Sequence, residues 1–182
     1  MEFLTIQDWD FSLWTEAEKI YEEAFPAHNR KKRDIIQHMF KKNMCYLHLA
    51  FEDSKIVGMA LSGKTDQQDV LILDYIAVKE NLQHQGIGRK LVEYIKEWCF
   101  ASGNFSLLVV EVEAEENAQN EKRIQFWQKC GFHLTDYIHS YIWVPETYKA
   151  MYFSTKALNK NPNGTELFSY ITDFHKKSYQ RG

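Results

Sequence analysis

The chain is poor in the residues that staple a small fold or hold a metal. Only three of its 182 residues are cysteine, Cys45, Cys99 and Cys130. They are odd in number, far apart and set in apolar segments. That excludes a disulfide framework and reads as buried thiols in a reducing compartment. None of the seven histidines forms an H-x-x-x-H pair and there is no C-x-x-C, so no metal is expected. No apolar run approaches the ~20 residues of a membrane span. The opening MEFLTIQDWD is acidic and its apolar part is too short for a secretory signal. An excess of positive charge is missing too: the net charge is −3, which argues against a nucleic-acid footprint. The expectation is a cytoplasmic protein with no nucleic-acid and no membrane partner.

What is present is ordinary in bulk, at 45% hydrophobic and 26% charged, with aromatics generous at 15%. A chain of this length can bury roughly 70% of its unfolded surface, so one domain over 1–156 is expected, with a turn and helix over 157–182 packed on it. The most informative stretch is 72–98. It opens with ILDYIAV, an apolar β-branched run that reads as a largely buried strand. It closes with Ile87, Leu91, Ile95 and Trp98 at helical spacing. Between them lies Gln83-His84-Gln85-Gly86-Ile87-Gly88. Strand, glycine turn and helix start together make an anion site, because the first amides of a helix lack intrahelical partners and glycine permits close approach.

The remaining elements follow from periodicity and breakers. A strand is expected at Phe3–Ile6, then a helix capped by Asp10 or Ser12 and stopped by Pro26, then a second helix over about 31–41. Its opening run, Arg30-Lys31-Lys32-Arg33, reads as a solvated basic patch or a contact for an acidic partner. Cys45–Phe51 and Ile56–Leu61 read as a hairpin around Glu52–Lys55. After a polar loop at 63–69 and the 72–98 unit come a central strand at Phe105–Val112 and a polar loop at Glu113–Asn120. A short helix follows around Ile124 and Trp127. Strand-like runs are expected at Phe132–Tyr137, Ile138–Val144 and Tyr148–Ser154, and a last helix at Glu166–Tyr179. The pattern is mixed α/β: a central, mostly antiparallel sheet of about seven strands flanked by helices, with a C-terminal helical tail.

Two blocks in this order carry a resemblance. One is Leu73–Val78 followed by the Q-x-x-G-x-G turn; the other is Asn117, then Arg123-Ile124-x-Phe126-Trp127-x-x-x-Gly131-Phe132. Over about Phe3–Ser154 the chain resembles the GNAT superfamily of acyl-CoA-dependent N-acetyltransferases. The resemblance implies acetyl-CoA as co-substrate, with no metal, and an acetyl group passed directly to a primary amine of a small molecule or peptide. It implies that the backbone of Ile76, Ala77 and Val78 pairs with the pantetheine arm and faces the developing oxyanion. Gln83, His84, Gln85, Gly86, Ile87, Gly88 and Arg89 would form the pyrophosphate turn. Lys90, with Lys79, Arg89 or Lys122, would reach phosphates; Asn117 would hydrogen-bond the coenzyme and Phe126 pack near it. A homodimer stays open.

The proton-transfer groups fit the resemblance less well. Many members carry a tyrosine four residues before the Gly-Phe pair, where this chain has Trp127. An indole N–H donates a hydrogen bond but is no general acid near neutrality. Tyr137 and Tyr141 are the candidates to protonate the thiolate, which with a pKa of roughly 8.5 can also leave unaided. For the base, Glu111 and then Asp74 are expected, each an acid in an apolar strand where burial would raise its pKa. Against this, a strand carboxylate can simply pair with a lysine. A dinucleotide fold is disfavoured, since Leu91 stands where the third glycine of G-x-G-x-x-G belongs. The contrasting functional reading, motivated by Trp127, is an acyl-CoA-binding sensor with little catalysis.

Overall fold

The computed structural model describes residues 1–67, 69–154, 156–158 and 160–180; within the expected loop at 63–69, Gln68 lies outside them. The elements are β1 (Glu2–Ile6), α1 (Phe11–Ala24), α2 (Arg33–Lys41), β2 (Cys45–Glu52), β3 (Lys55–Lys64), β4 (Val70–Val78) and α3 (Ile87–Ser102). Then come β5 (Leu107–Glu113), α4 (Ala118–Lys129), β6 (His133–Leu134), β7 (His139–Ser140), β8 (Thr147–Ser154) and α5 (Gly164–Tyr179). One sheet takes all eight strands in the order β1-β2-β3-β4-β5-β8-β6, with β7 also on β8. Every pairing is antiparallel except β4 with β5, which α3 joins as a parallel crossover. The mixed α/β architecture expected from periodicity is the one observed.

Strand alternation sends side chains into two cores. On one face, Leu47, Leu61, Ile72 and Val109 pack with Trp14 and Ile20 of α1, Ile36 and Met39 of α2, and Leu167, Ile171 and Phe174 of α5. On the other, Leu71, Leu108 and Val110 pack with Leu91, Val92 and Ile95 of α3 and Trp127 of α4. The C-terminal helix is therefore part of the main core. Its seat depends on Gly63 of β3, where a Cβ would lie only 1.9 Å from the Phe174 ring.

Two local expectations are corrected. The runs Phe132–Tyr137 and Ile138–Val144 shrink to two-residue strands, because both borrow the same edge of β8. The first pairs with Tyr152 and Met151, the second with Tyr148 and Thr147, so neither can extend past the other. The polar segment before Ile124 is already helix: the Asn117 side chain accepts from the Asn120 amide at 2.9 Å and starts α4 at Ala118.

Candidate active site

The parallel ladder between β4 and β5 is short. It runs from Val70↔Leu107 to Ile72↔Val109, although β4 continues to Val78 and β5 to Glu113. Past Ile72 the two strands part, leaving a gap in the middle of the sheet with strand edges on both lips. At the same point β4 slips register against β3: Leu61 faces Tyr75 and Ser62 faces Leu73, so Asp74 has no partner opposite. The extra residue resets the alternation. Asp74 and Tyr75 both look toward α1, α2 and α5, while Leu73 and Ile76 look toward α3.

At the end of the β4 lip lies the glycine turn. α1, α4 and α5 are each capped by a side chain, from Asp10, Asn117 and Asn163 respectively. α3 begins instead on Gly86, with φ 81° and no side-chain cap. Its first amides, from Ile87 to Arg89, precede the first intrahelical bond, Lys90 N–H to Gly86 C=O at 3.0 Å. A Cβ on Gly86 would meet nothing within 4 Å, so the turn opens outward. His84 also has positive φ, at 63°, a left-handed backbone that a non-glycine residue adopts only where the loop demands it. Gln83 is tied back by its amide donating to the Val78 carbonyl at 3.4 Å. Gly88 lies against Val78 and the Phe126 ring. The residues from Ile76 to Gly88, with Phe126, thus form one continuous wall. This donor-rich, uncapped turn can receive an anionic group. Asn117 lies exposed at the start of α4, its carbonyl used by the cap and its NH2 the donor that remains.

The other lip carries charge, and its side chains come from distant segments. Lys31 lies just before α2, yet its side chain is only 1% exposed; it pairs with Asp74, 3% exposed, at 2.7 Å. Its Nζ also stands 5.3 Å from the Tyr75 ring centre and 5.2 Å from that of Phe174. The same ammonium lies 3.3 Å from His175 Nδ1. His175 Nε2 reaches Glu111 Oε1 at 3.1 Å, and the Tyr141 hydroxyl donates to Glu111 Oε2 at 2.8 Å. The chain of contacts is Asp74–Lys31–His175–Glu111–Tyr141. Glu111 keeps 27% of its side chain exposed, and it is the carboxylate of this chain that an incoming group can touch. Desolvation pushes its carboxyl up, but the His175 hydrogen bond and charge, the Tyr141 hydrogen bond and the Lys31 charge outweigh it, and the net shift is downward. The expected upward shift is thereby corrected. Burial, followed by the adjacent Glu111 charge, raises the Tyr141 hydroxyl, so it keeps its proton and shares it with Glu111 as a hydrogen bond.

Comparison with known sequences identifies the frame. The model of the acetyltransferase (GNAT) family matches residues 11–132. The chain belongs to the GNAT acetyltransferase family. An uncharacterized N-acetyltransferase of Bacillus subtilis (strain 168), YvbK, is 28% identical over 109 residues, 60% of this chain and 65% of that protein. The matched region thus spans slightly less than two thirds of that relative. Among solved structures, a GNAT-family protein from Bacteroides thetaiotaomicron superposes with TM-score 0.73 at 19% identity, covering 97% of this chain and 95% of the other. A Bacillus subtilis acetyltransferase in complex with CoA superposes with TM-score 0.59 at 17% identity, covering 85% and 99%. These likenesses establish the fold.

Within this GNAT frame the site residues sort clearly. Ile76 to Gly88 and Phe126 come together beside the gap; Asn117 caps α4; Glu111 and Tyr141 meet on the opposite lip. Asp74 takes the alternative role of a strand carboxylate paired with a lysine. Tyr137 makes no direct contact with Glu111 among those the structure gives it: its hydroxyl is 3.4 Å from His139 Nδ1 and its ring lies against Phe168, and it reaches the cluster only through His139, whose ring packs edge-on against Tyr141. Trp127 is 5% exposed and packs edge-on against Phe126 and Phe132; it is core. Lys31 is not part of a solvated patch, because the Asp74 carboxylate and three rings enclose it. His175 was missed by sequence reasoning. The available signal was its place in the apolar stripe of α5, four residues beyond Ile171 and eight beyond Leu167. Among the described residues no group of His, Cys, Asp or Glu could hold a metal. Among the described residues no helix is long and apolar enough to cross a membrane.

Proposed function

We propose that the chain is an N-acetyltransferase that moves an acetyl group from acetyl-CoA directly to a primary amine of a small molecule or peptide. The carrying observation is the gap itself: a backbone lip ending in an uncapped glycine turn faces a lip on which the partly exposed Glu111 carboxylate stands. The edge of Ile76–Val78 offers amides and carbonyls to the pantetheine arm. The turn from His84 to Arg89 receives the pyrophosphate, with Arg89, Lys90, Lys79 or Lys122 adding charge. Asn117 donates through its NH2, and Phe126 packs beside the coenzyme.

In this reading the amine nitrogen attacks the thioester carbonyl and the C–S bond then breaks, releasing the thiolate of CoA. A free amine of pKa ~10.4 is only about four parts in ten thousand neutral at pH 7. The nitrogen becomes far more acidic as the C–N bond forms, and Glu111 takes its proton at that moment. Backbone amides of β4 stabilise the oxyanion. Trp127 donates no proton, and Tyr141 is held by Glu111, so the thiolate leaves unprotonated by a tyrosine. That same buried tryptophan favours one second reading, an acyl-CoA sensor without turnover.

Thiol release measured with spermidine, lysine, an alanyl peptide and an aminoglycoside separates the two. Turnover on any of them supports the enzyme. Tight acetyl-CoA binding with no turnover on the whole panel supports the sensor. The site assignment is checked by Gly86→Glu, which places bulk and negative charge in the turn. Calorimetry should show acetyl-CoA affinity lowered by at least about a hundredfold in a folded protein; unchanged affinity refutes it.

A further inference from the structure

The C-terminal helix contributes to the acceptor lip a residue that the sequence motifs of the site do not contain. An ammonium only donates hydrogen bonds, so the contact from Lys31 Nζ requires His175 Nδ1 to accept. A ring hydrogen then sits on Nε2, aimed at Glu111 Oε1. The tautomer is set from behind by a lysine that Asp74 in turn holds. We propose that His175 is the positioning residue of the acetyl-transfer site: it fixes one oxygen of Glu111 by donating Nε2–H and holds that carboxylate ionised, so that α5 completes the acceptor lip. This rests on the reading of Glu111 as proton acceptor.

Three features support more than incidental contact. First, both oxygens of Glu111 are fixed by donors on opposite sides, His175 on α5 and Tyr141 before β8, which leaves its outer lone pairs as the free acceptor positions. Second, the charges that face this cluster are balanced toward an amine. Lys31 and Asp74 cancel, Arg123 pairs with Glu113 at 3.6 Å farther along the same strand, Tyr141 and Tyr148 are protonated, and the Glu111 carboxylate is the charge that faces the gap. Third, His175 has rigid support: Phe174 beside it is fully buried and Ile171 one turn back is buried in the same core. A ring on such a helix is held in register with β5 without relying on a loop.

The test uses His175→Leu, which removes the donor, and His175→Gln, which retains an N–H donor of similar reach. In the coenzyme-free protein, carbon-13 NMR of the glutamate side-chain carboxyls follows the Glu111 titration, assigned through Glu111→Gln. His175→Leu should move the midpoint to higher pH, since desolvation then acts with less opposition; His175→Gln should stay near wild type. With the fastest amine of the panel, the wild-type to His175→Leu ratio of kcat/KM cancels the amine's own ionisation. It should rise as pH falls, reaching about tenfold, with acetyl-CoA affinity unchanged. A midpoint that does not move in His175→Leu, or moves equally in both variants, overturns the proposal, as does a ratio that is flat with pH. If Glu111→Gln itself leaves the pH–rate profile unmoved, the reading of Glu111 fails instead, and the titration still decides what His175 does to that carboxylate.

Discussion

The two lips of the β4–β5 gap are made of different material. The coenzyme lip is backbone: strand edge, turn and helix start within the short segment from Ile76 to Gly88, with Phe126 leaning in. The acceptor side is side chain: Glu111 of β5 is joined by Tyr141, His175, Lys31 and, reaching from β4 itself, Asp74, five segments in all, with Lys31 and His175 144 positions apart. A backbone site tolerates most substitutions that spare its glycines. A side-chain site fails when any one member leaves its neighbour unpaired, because a buried polar group without a partner pays its full desolvation cost.

The largest effect expected from breaking this contrast is on stability. Lys31 and Asp74 are both nearly inaccessible, so Lys31→Met strands a buried carboxylate and should cost about 3–5 kcal/mol. Adding Asp74→Leu should restore at least half of that, since replacing both charges by apolar groups is often near neutral. Urea unfolding of the two singles and the double decides. A loss below about 1 kcal/mol in the single would mean that the pair is solvated.

Next in size is Glu111→Gln. If Glu111 receives the proton, kcat/KM falls by about 10²–10⁴ and the acid limb attributable to the carboxylate disappears, while acetyl-CoA affinity holds. An unmoved pH–rate profile would remove Glu111 from the reaction. Gly86→Glu is the mirror experiment on the other lip: binding goes and the acceptor cluster stays.

How much of this could be read from residues alone follows the same division. The strand 72–78, the turn and the helix after it lie in one short window, where period and glycine placement are enough. Glu111 was legible because an acid in the run Leu107–Val112 breaks an apolar pattern. The parting of β4 from β5 was not legible. It depends on where parallel pairing stops, and the register slip that turns Asp74 toward Lys31 leaves no local mark. Lys31 sits in a run of four basic residues and looks identical to its neighbours, yet Arg33 pairs with Glu18 at the surface while Lys31 is enclosed. His175 had only its stripe position, and a histidine there is more often core than partner.

A titratable group buried on the α3 face sharpens the contrast at a smaller scale. His48 is fully buried between two neutral hydroxyls, Thr5 Oγ1 at 2.8 Å from Nδ1 and Ser62 Oγ at 2.8 Å from Nε2. Desolvation pushes it down to about 3 from 6.5. The unfolded chain therefore binds the proton first, and this contribution to stability is complete above pH 6.5 and lost as pH falls toward 3. At pH 5 the loss should be about 2 kcal/mol. Comparing urea unfolding at pH 7 and pH 5 checks it, and His48→Gln should flatten the difference. Glu111, whose folded-state pKa is lowered, gives a loss of the same sign that sets in only as pH falls below the ordinary carboxylate value of 4.5, so the loss between pH 6.5 and 5 comes from His48 and not from Glu111.

The smallest effect bears on Asn117, which caps α4 and which the proposed function also sets against the coenzyme. Asn117 spends its carbonyl on the α4 cap and has its NH2 left to donate. Asn117→Ala removes both and should cost about 1 kcal/mol of stability along with any coenzyme contact. Asn117→Asp separates them: a carboxylate still accepts from the Asn120 amide and suits a helix N-terminus, so stability should hold or rise by a few tenths of a kcal/mol. It can no longer donate, and it sets a negative charge near a polyanion, so acetyl-CoA affinity should fall about three- to tenfold. If affinity and stability both survive Asn117→Asp, the residue is a cap alone, and the coenzyme lip is backbone throughout.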